Sequence, residues 1–439
     1  MKRLHNYQEK IITVEEALSK IKSGDHIVSG LAGAEPQLML SKLHEIHDHV
    51  SDVHVMTCLP MGLYDFYSSP EYKSSFLMEG WFYSGPMRKY HNHKNITFIP
   101  NHLHFAAKKR IDFQKPNIYI GNCSWIDEHG YVSLGLSAVY EVEMIKAADL
   151  VILEMNPNVP RTFGDTTLHI SQVDYIIEAD YKMPELPAVD INEKDKIIGK
   201  LIADLIEDGS TIQLGIGGIP NAVADALKTK KHLGIHTEMF TDGMVDLFES
   251  GAIDNTQKAI HKGKMTAAFA LGSEKLYKFI NNNPAVEIID GAYVNDPHVI
   301  GQNSKMISIN TSIEVDLTGQ CCSESIGTKQ ISGTGGQADT AIGAQNSKDG
   351  KSFIALYATT TVKDPETGNP VEKSKIVPIL SPGAIVSLSR NDVDYVVTEY
   401  GVASLRGTSI RERVKRLIEI AHPDFRDWLR EEAEKYKIW

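Results

Sequence analysis

One carboxylate in an otherwise apolar strand pattern is the first candidate for chemistry. Glu238 lies in Gly234-Ile-His-Thr-Glu-Met-Phe-Thr-Asp-Gly243, with Asp242 four residues on. A carboxylate set among apolar neighbours serves as nucleophile or base; the competing reading is a solvated glutamate at a strand end. Upstream, Gly215-Ile-Gly-Gly-Ile-Pro220 follows a strand pattern and opens a helix at Pro220. Glycines admit a ligand close to the backbone, and free N–H groups at a helix start bind anions or developing negative charge. The spacing is neither GxGxxG nor a Walker sequence, so it does not point to a dinucleotide or a nucleoside triphosphate. Its alternative is a tight β–α turn that needs glycine for steric reasons. A second glycine cluster, Ile331-Ser-Gly-Thr-Gly-Gly-Gln-Ala-Asp339 with Lys329 just before it, could line a phosphate or pantetheine arm, or be a surface turn.

Two other groups carry less. The histidines of Tyr90-His-Asn-His-Lys94 and the pair His102 and His104 have no accompanying HExxH or CxxC. Zinc sites take three or four ligands in defined spacing, so these read as surface or core histidines and no metal is expected. Cys321-Cys322 has no nearby histidine base and reads as a buried strand, with no thiol nucleophile proposed.

The elements that must position these residues alternate along the chain. Residues 25–30, 95–100, 117–121 and 149–154 read as strands, and 36–47 and 138–147 as helices. Such alternation predicts an α/β fold with mainly parallel sheets. Two prolines within 183–189 mark an extended connector. Beyond it Ile197, Ile198, Leu201, Ile202, Leu205 and Ile206 repeat at helical spacing, with Asp208-Gly209 as the stop. Near the end, Ser409-Ile-Arg-Glu412 has the form of a capping box. Ile410, Val414, Leu417 and Ile418 follow on one face, and His422-Pro423 closes that helix.

A weak internal repeat organises the whole. Ser23-Gly-Asp-His-Ile-Val-Ser-Gly30 is echoed by Asp208-Gly-Ser-Thr-Ile-Gln-Leu-Gly215, and each is followed by a small-residue loop, a proline and a helix. Val53-His-Val-Met56 then matches Ile235-His-Thr-Glu238 at a nearly constant offset. Two α/β domains result, 1–187 and 188–439, the second carrying Glu238. The alignment places Met56 opposite Glu238, so the fold itself does not require an acid there.

Composition limits the function classes. The chain has 439 residues, 42% hydrophobic and 23% charged, which is ordinary for a globular enzyme and unlike a disordered, collagenous or coiled-coil chain. With a net charge of −12 it has no general attraction for nucleic acid or anionic lipid, so any affinity for a phosphorylated ligand must be local. Four cysteines without CxxC spacing suit reduced thiols in a cytoplasm. The first ten residues lack the apolar core of a signal peptide, and no apolar run reaches the ~18 residues that cross a bilayer.

Several long motifs in one order resemble the class I CoA-transferases of the acetyl-CoA hydrolase/transferase family, most like 4-hydroxybutyrate and butyrate:acetate CoA-transferases. They are Gly24-Asp25, Ala34-Glu-Pro36, the 215–220 loop, Gly234-Ile-His-Thr-Glu-Met239, Ser325-Ile-Gly-Thr-Lys-Gln330, Ser332-Gly-Thr-Gly-Gly-Gln337, Ser374-Lys-Ile-Val-Pro378 and Ser389-Arg-Asn-Asp-Val-Asp-Tyr-Val-Val-Thr-Glu-Tyr-Gly401. The resemblance covers essentially the whole chain. It implies two similar open α/β domains of the CoA-transferase/NagB-RpiA-like kind, with the active site between them. It implies Glu238 as nucleophile, CoA contacts at Gly215, Ile216, Gly217, Gly218 and Ile219, and further contacts near Ile313, Gly336 and Lys363. Gln213, just before the loop, is a candidate for orienting the acyl carboxylate.

The implied activity is transfer of CoA between a short-chain acyl-CoA and an acid such as acetate, by ping-pong kinetics through a glutamyl–CoA thioester. Acyl-CoA acts as substrate, and no prosthetic group is required. Leu31 stands where some 4-hydroxyacyl members have a polar residue, which favours acetate, propionate or butyrate. Discrimination by one methylene is worth only ~1–3 kcal/mol, so a range of short acids is expected. Acyl-CoA hydrolysis is the alternative activity, and a non-catalytic ligand-binding protein on the same scaffold is a further one. No basic recognition helix accompanies the motifs, and a cytoplasmic homo-oligomer without nucleic-acid or membrane partners is expected.

Overall fold

The computed structural model describes residues 4–187, 189–364 and 367–438; Ala188, at the expected domain boundary, lies outside them. The chain forms two compact units. The first comprises Met1–Pro187 with Glu238–Asp242 and Lys264–Asn295, the second Ala188–Thr237, Gly243–Gly263 and Asp296–Trp439. A single cut after residue 187 therefore differs from the packing: Glu238 and the strands Met265–Ala270 and Val286–Ile288 belong with the first unit. Hydrogen bonding explains why. Ser137 bridges Phe269, Ala138 N–H donates to Ala268, and Phe163 and Gly164 pair in parallel with Glu287 and Ile288.

The first unit is built on seven parallel strands: β1 (His26–Ser29), β2 (Val53–Thr57), β3 (Phe76–Gly80), β4 (Ile96–Phe98), β5 (Ile118–Cys123), β6 (Leu150–Met155) and β7 (Tyr175–Glu178). Their order is β7-β6-β5-β1-β2-β3-β4. Successive side chains point to opposite faces of a strand, and the two faces here fill two different cores. Val28, Met56, Tyr119, Val151 and Leu153 enter one; Ile27, Val55, Ile118, Ile120 and Ile152 enter the other. A parallel sheet covered on both faces reads as a continuous apolar run, which is why these strands are legible in the sequence. Helices α1 (Gln37–Lys42) and α2 (Glu141–Ala147) follow β1 and precede β6.

The second unit repeats the plan. Helix α3 (Glu193–Ala203) leads into β8 (Thr211–Leu214), α4 (Gly218–Ala226) and β9 (Gly234–Phe240), of which Glu238 onward packs with the first unit. Then come β10 (Met306–Thr311), α5 (Gln337–Asn346), β11 (Lys351–Ala355), β12 (Tyr395–Thr398), β13 (Gly401–Ser404) and α6 (Ile410–Glu419). The order is β13-β12-β11-β10-β8-β9, with β13 antiparallel to β12, and the sheet continues past β9 through Met265–Ala270, Val286–Ile288 and Phe163–Gly164. Strands β12-β11-β10-β8-β9 thus match β7-β6-β5-β1-β2, the topology expected of a duplicated unit.

The register corrects one detail of the repeat. Val28 pairs with Met56, whereas Ile212 pairs with Ile235, which sets Gln213 level with His236. If β1 and β8 correspond, Met56 matches His236, and Glu238 matches Cys58, two residues further along the same face. The counterpart is still not an acid.

Local signals account for the helix starts. Asn192 and Asp195 form a reciprocal capping box at α3. Ile198 and Ile202 are buried there, but Ile197 is 47% exposed, because the isoleucine run is wider than the buried stripe. The helix ends at Ala203, ahead of Asp208-Gly209. At α6, Ser409 accepts from Glu412 N–H, while the Glu412 carboxylate turns to Arg416 at 2.8 Å, so only half of the box forms.

Candidate functional site

Strand β9 carries buried residues on either side of Glu238, whose own side chain is half-buried. One carboxylate oxygen, Oε2, accepts a hydrogen bond of 2.7 Å from Asn295 Nδ2. Asn295 is fully buried, and its backbone N–H caps the single-turn helix Gly291–Val294. Its Oδ1 has no protein partner, so the amide's orientation is fixed by its donor side. Sequence reasoning missed Asn295. The run Asp290-Gly-Ala-Tyr-Val-Asn-Asp-Pro297 announces two tight turns, capped by Asp290 and Asp296, but nothing in it points to a residue 57 positions upstream. Cys58, the register counterpart, is buried. Burial, with the Glu238 and Glu141 carboxylates, pushes its thiol well above the usual range, so it stays protonated and inert.

In the second unit the glycine loop links β8 to α4. Gly217 has φ +116° and ψ −178°, a conformation open in practice only to glycine, and a Cβ there would meet nothing within 4 Å. Ile216 is 44% exposed. At the start of α4 the N–H groups of Gly218 and Ile219 have no intrahelical acceptor, as in any helix. Beneath the loop, the Gln213 carboxamide oxygen accepts from Ile309 N–H at 3.1 Å and the Ser308 hydroxyl at 3.2 Å. Asn310 Nδ2 reaches Ser308 Oγ and Thr340 Oγ1, extending the network to α5. Gln213 is therefore a brace between β8 and β10, with its oxygen already occupied.

The other expected contact residues separate into two groups. Gly336 is buried at the start of α5, and the next residue, Gln337, donates to Thr311 O at the end of β10. Ile313 follows that strand end, its N–H bonded to Cys322 O. Thus 215–219, Ile313 and Gly336 all lie around the carboxyl ends of the adjacent strands β8 and β10, where ligands bind in open parallel sheets. Lys363 is exposed at the far end of the hairpin strands Thr359–Lys363 and Pro370–Ser374, paired with Pro370.

The first-unit loop at 31–36, counterpart of the glycine loop, is closed by buried acids. Glu141 accepts from Leu31 N–H; Glu35 accepts from Met61 and Gly62 N–H and Tyr64 hydroxyl; Glu154 accepts from Leu38 and Met39 N–H and Tyr181 hydroxyl. The amides of Leu31, Ala32, Ala34 and Glu35 are all bonded within the protein, whereas the second-unit loop leads directly into the helix start at Gly218.

Among the described residues, His26, His54 and Glu79 bring three potential metal ligands together. The Arg110 guanidinium lies 3.0 Å from His26 Nδ1 and 3.6 Å from Glu79, so a cation is already installed there. The histidines at 91, 93, 102 and 104 do not join this group.

The acetyl-CoA hydrolase/transferase N-terminal domain model matches residues 1–187, and the C-terminal domain model matches residues 272–433. The chain belongs to the acetyl-CoA hydrolase/transferase family. Within it, a succinyl-CoA:cyclohexane-1-carboxylate CoA transferase of Geobacter metallireducens is 44% identical, covering 98% of this chain and 96% of its own. A 4-hydroxybutyrate coenzyme A transferase of Clostridium kluyveri is 42% identical, covering 98% of each. The crystal structure of a 4-hydroxybutyrate CoA-transferase from Porphyromonas gingivalis superposes with a TM-score of 0.79 at 34% identity, covering 99% of each chain. The protein is an enzyme of the CoA-transferase kind. Among its described residues, no helix is long and apolar enough to cross a membrane.

The buried acids of this CoA-transferase carry a pH signature. Burial is the main cause that pushes Glu35 and Glu154 each up to about 7, outweighing the hydrogen bonds that favour the anion. Protonation then favours the folded state. That contribution is complete below the ordinary carboxyl value of 4.5, falls as pH rises, and is gone above about 7. Glu154→Gln removes this titration. Relative to wild type, the variant should gain roughly 2–3 kcal/mol between pH 5 and pH 8, measured by urea unfolding at both values. A pH-independent difference would show that Glu154 is ionised throughout.

Proposed function

We propose that the enzyme transfers CoA between a short-chain acyl-CoA and a carboxylic acid such as acetate, through a thioester on Glu238. The observation that carries this is the Glu238 carboxylate itself: half-buried in a strand whose other residues are buried, with one oxygen tied to Asn295. The hydrogen bond holds the carboxylate in place for attack on a thioester. A free carboxylate is a poor nucleophile, but one held against a thioester gains effective concentration.

The exchange follows in balanced steps. The Glu238 carboxylate adds to the thioester carbonyl, giving a tetrahedral oxyanion. Backbone N–H donors stabilise such a charge in acyl transfer. Collapse expels CoA thiolate and leaves a mixed anhydride. The thiolate adds to the Glu238 carbonyl and releases the first acid, so CoA is now held as the glutamyl thioester. The acceptor carboxylate attacks this thioester and re-forms an anhydride and thiolate. The thiolate then attacks the new acyl carbonyl, and Glu238 returns as carboxylate. No water is consumed, and water must be kept from the anhydride or the outcome is hydrolysis. Gln213 fixes β8 to β10 through its carboxamide oxygen, and its amide group is the part that would orient the acyl carboxylate. The apolar residue types Leu31, Ala32 and Ala34 in the first-unit loop suit short apolar acids such as acetate, propionate or butyrate.

The test is incubation with butyryl-CoA alone, followed by borohydride or hydroxylamine and peptide mass analysis. Modification is expected at Glu238, with parallel lines in double-reciprocal plots of the full reaction. An unmodified Glu238 in fully active protein would overturn the covalent route. CoA release independent of added acetate would assign hydrolysis instead.

A further inference from the structure

Helices α3 and α4 start side by side in the second unit. They approach so closely that a Cβ on Gly199 would lie 2.7 Å from the Ala222 backbone. A Cβ on Gly218 would lie 2.4 Å from Oδ2 of Asp195 and 2.8 Å from its Cγ. The Asp195 carboxylate, 1% exposed, therefore rests directly against the first residue of α4.

Both of its oxygens are held. Oδ2 accepts the Asn192 N–H at 3.0 Å, the ordinary capping interaction. Oδ1 accepts the Tyr357 hydroxyl at 2.6 Å, and that hydroxyl accepts from Asn192 Nδ2 at 2.9 Å. Capping explains the first bond alone. It needs neither a tyrosine 162 residues away nor a glycine in the neighbouring helix. Tyr357 follows β11 and is itself secured: Lys194 and Lys375 ammonium groups lie 5.8 and 5.9 Å from its ring centre. Lys194 is paired in turn with Glu399 at 2.9 Å, and Glu399 accepts the Ala358 N–H.

We infer that Asp195, locked by Asn192 and Tyr357, is a positioning residue that sets the first turn of α4 for acyl-CoA. The inference rests on the reading of 215–219 as the loop that receives acyl-CoA. Gly217 makes the loop's conformation possible but does not restrain it, since nothing lies within 4 Å of where its Cβ would be. The restraint comes one residue later, where Gly218 seats on a carboxylate that cannot rotate. The same carboxylate sits at the starts of both helices.

The test uses the full-length enzyme with Asp195→Asn and Tyr357→Phe, measuring the dissociation constant of CoA, the KM for butyryl-CoA and for acetate, and the melting temperature. Asp195→Asn should weaken CoA binding and raise the KM for butyryl-CoA by about tenfold, with the acetate KM within about twofold. Tyr357→Phe, which removes one oxygen only, should give the same split at about threefold, and the double variant should be no worse than Asp195→Asn, because the two act through one ring. Variants that bind CoA like wild type overturn the inference, as does an equal rise in both KM values. A wild-type protein that binds no CoA overturns the reading of the loop, and the inference with it.

Discussion

Glu238→Gln is expected to lower CoA exchange by at least about four orders of magnitude, the scale on which removal of a catalytic nucleophile registers. The amide keeps an acceptor for Asn295 Nδ2, so the melting temperature should hold. The loss then belongs to chemistry and not to folding. Glu238→Asp separates position from charge. It retains a carboxylate but withdraws it by one methylene from the place that Asn295 defines. A misplacement of about 1 Å costs on the order of 10²-fold. The expected ranking is therefore wild type, then Asp, then Gln, read from initial rates with butyryl-CoA and acetate. Equal activity of the Asp and wild-type enzymes would mean that the Asn295 contact does not set the position of the carboxylate.

Gly217→Ala should be the second most damaging change. Its φ of +116° with ψ near 180° lies where only glycine is at ease, and forcing alanine there costs about 1–3 kcal/mol. Open space surrounds the added methyl, so no core is disturbed. The exposed loop can relieve the strain by rotating a peptide, which redirects an N–H group. Loss of one such donor costs about 10²–10³-fold in kcat. The expected result is a large fall in kcat/KM with little change in melting temperature. Gly251→Ala is the control: φ is +78°, again with nothing within 4 Å, but in a turn remote in sequence from the loop. It should cost stability of about 1 kcal/mol and no activity.

These contrasts show what a sequence can and cannot carry. The parallel strands were legible because their burial on both faces leaves long apolar runs. The duplicated plan was legible because strand, small-residue loop and helix recur in order. Glu238 stood out as a charge where its strand had no need of one, although its partner in the repeat is Cys58 rather than Met56, a shift that only hydrogen-bond register reveals. Asn295 and Tyr357 were not legible. Each acts on a residue far away in the chain, and neither lies in a motif whose local chemistry announces the contact. Gln213 was noticed for its place beside the glycine loop, but its role as a brace depends on Ser308 and Ile309, which pattern reading does not connect to it.

The repeat invites the thought that this enzyme could be taken apart at residue 187 into a pair of autonomous polypeptides, as though a gene fusion could be undone. The strands at Met265–Ala270 and Val286–Ile288 forbid it. Expressed alone, 188–439 would keep Met265–Ala270 between its two sheet neighbours, but it would lose the bridge from Ser137, and Val286–Ile288 would lose Phe163–Gly164 and stand as an open edge. Each product would be drawn to aggregate or to recapture its complement. Each compact unit is assembled from separate stretches of the chain, so no single crossover separates them.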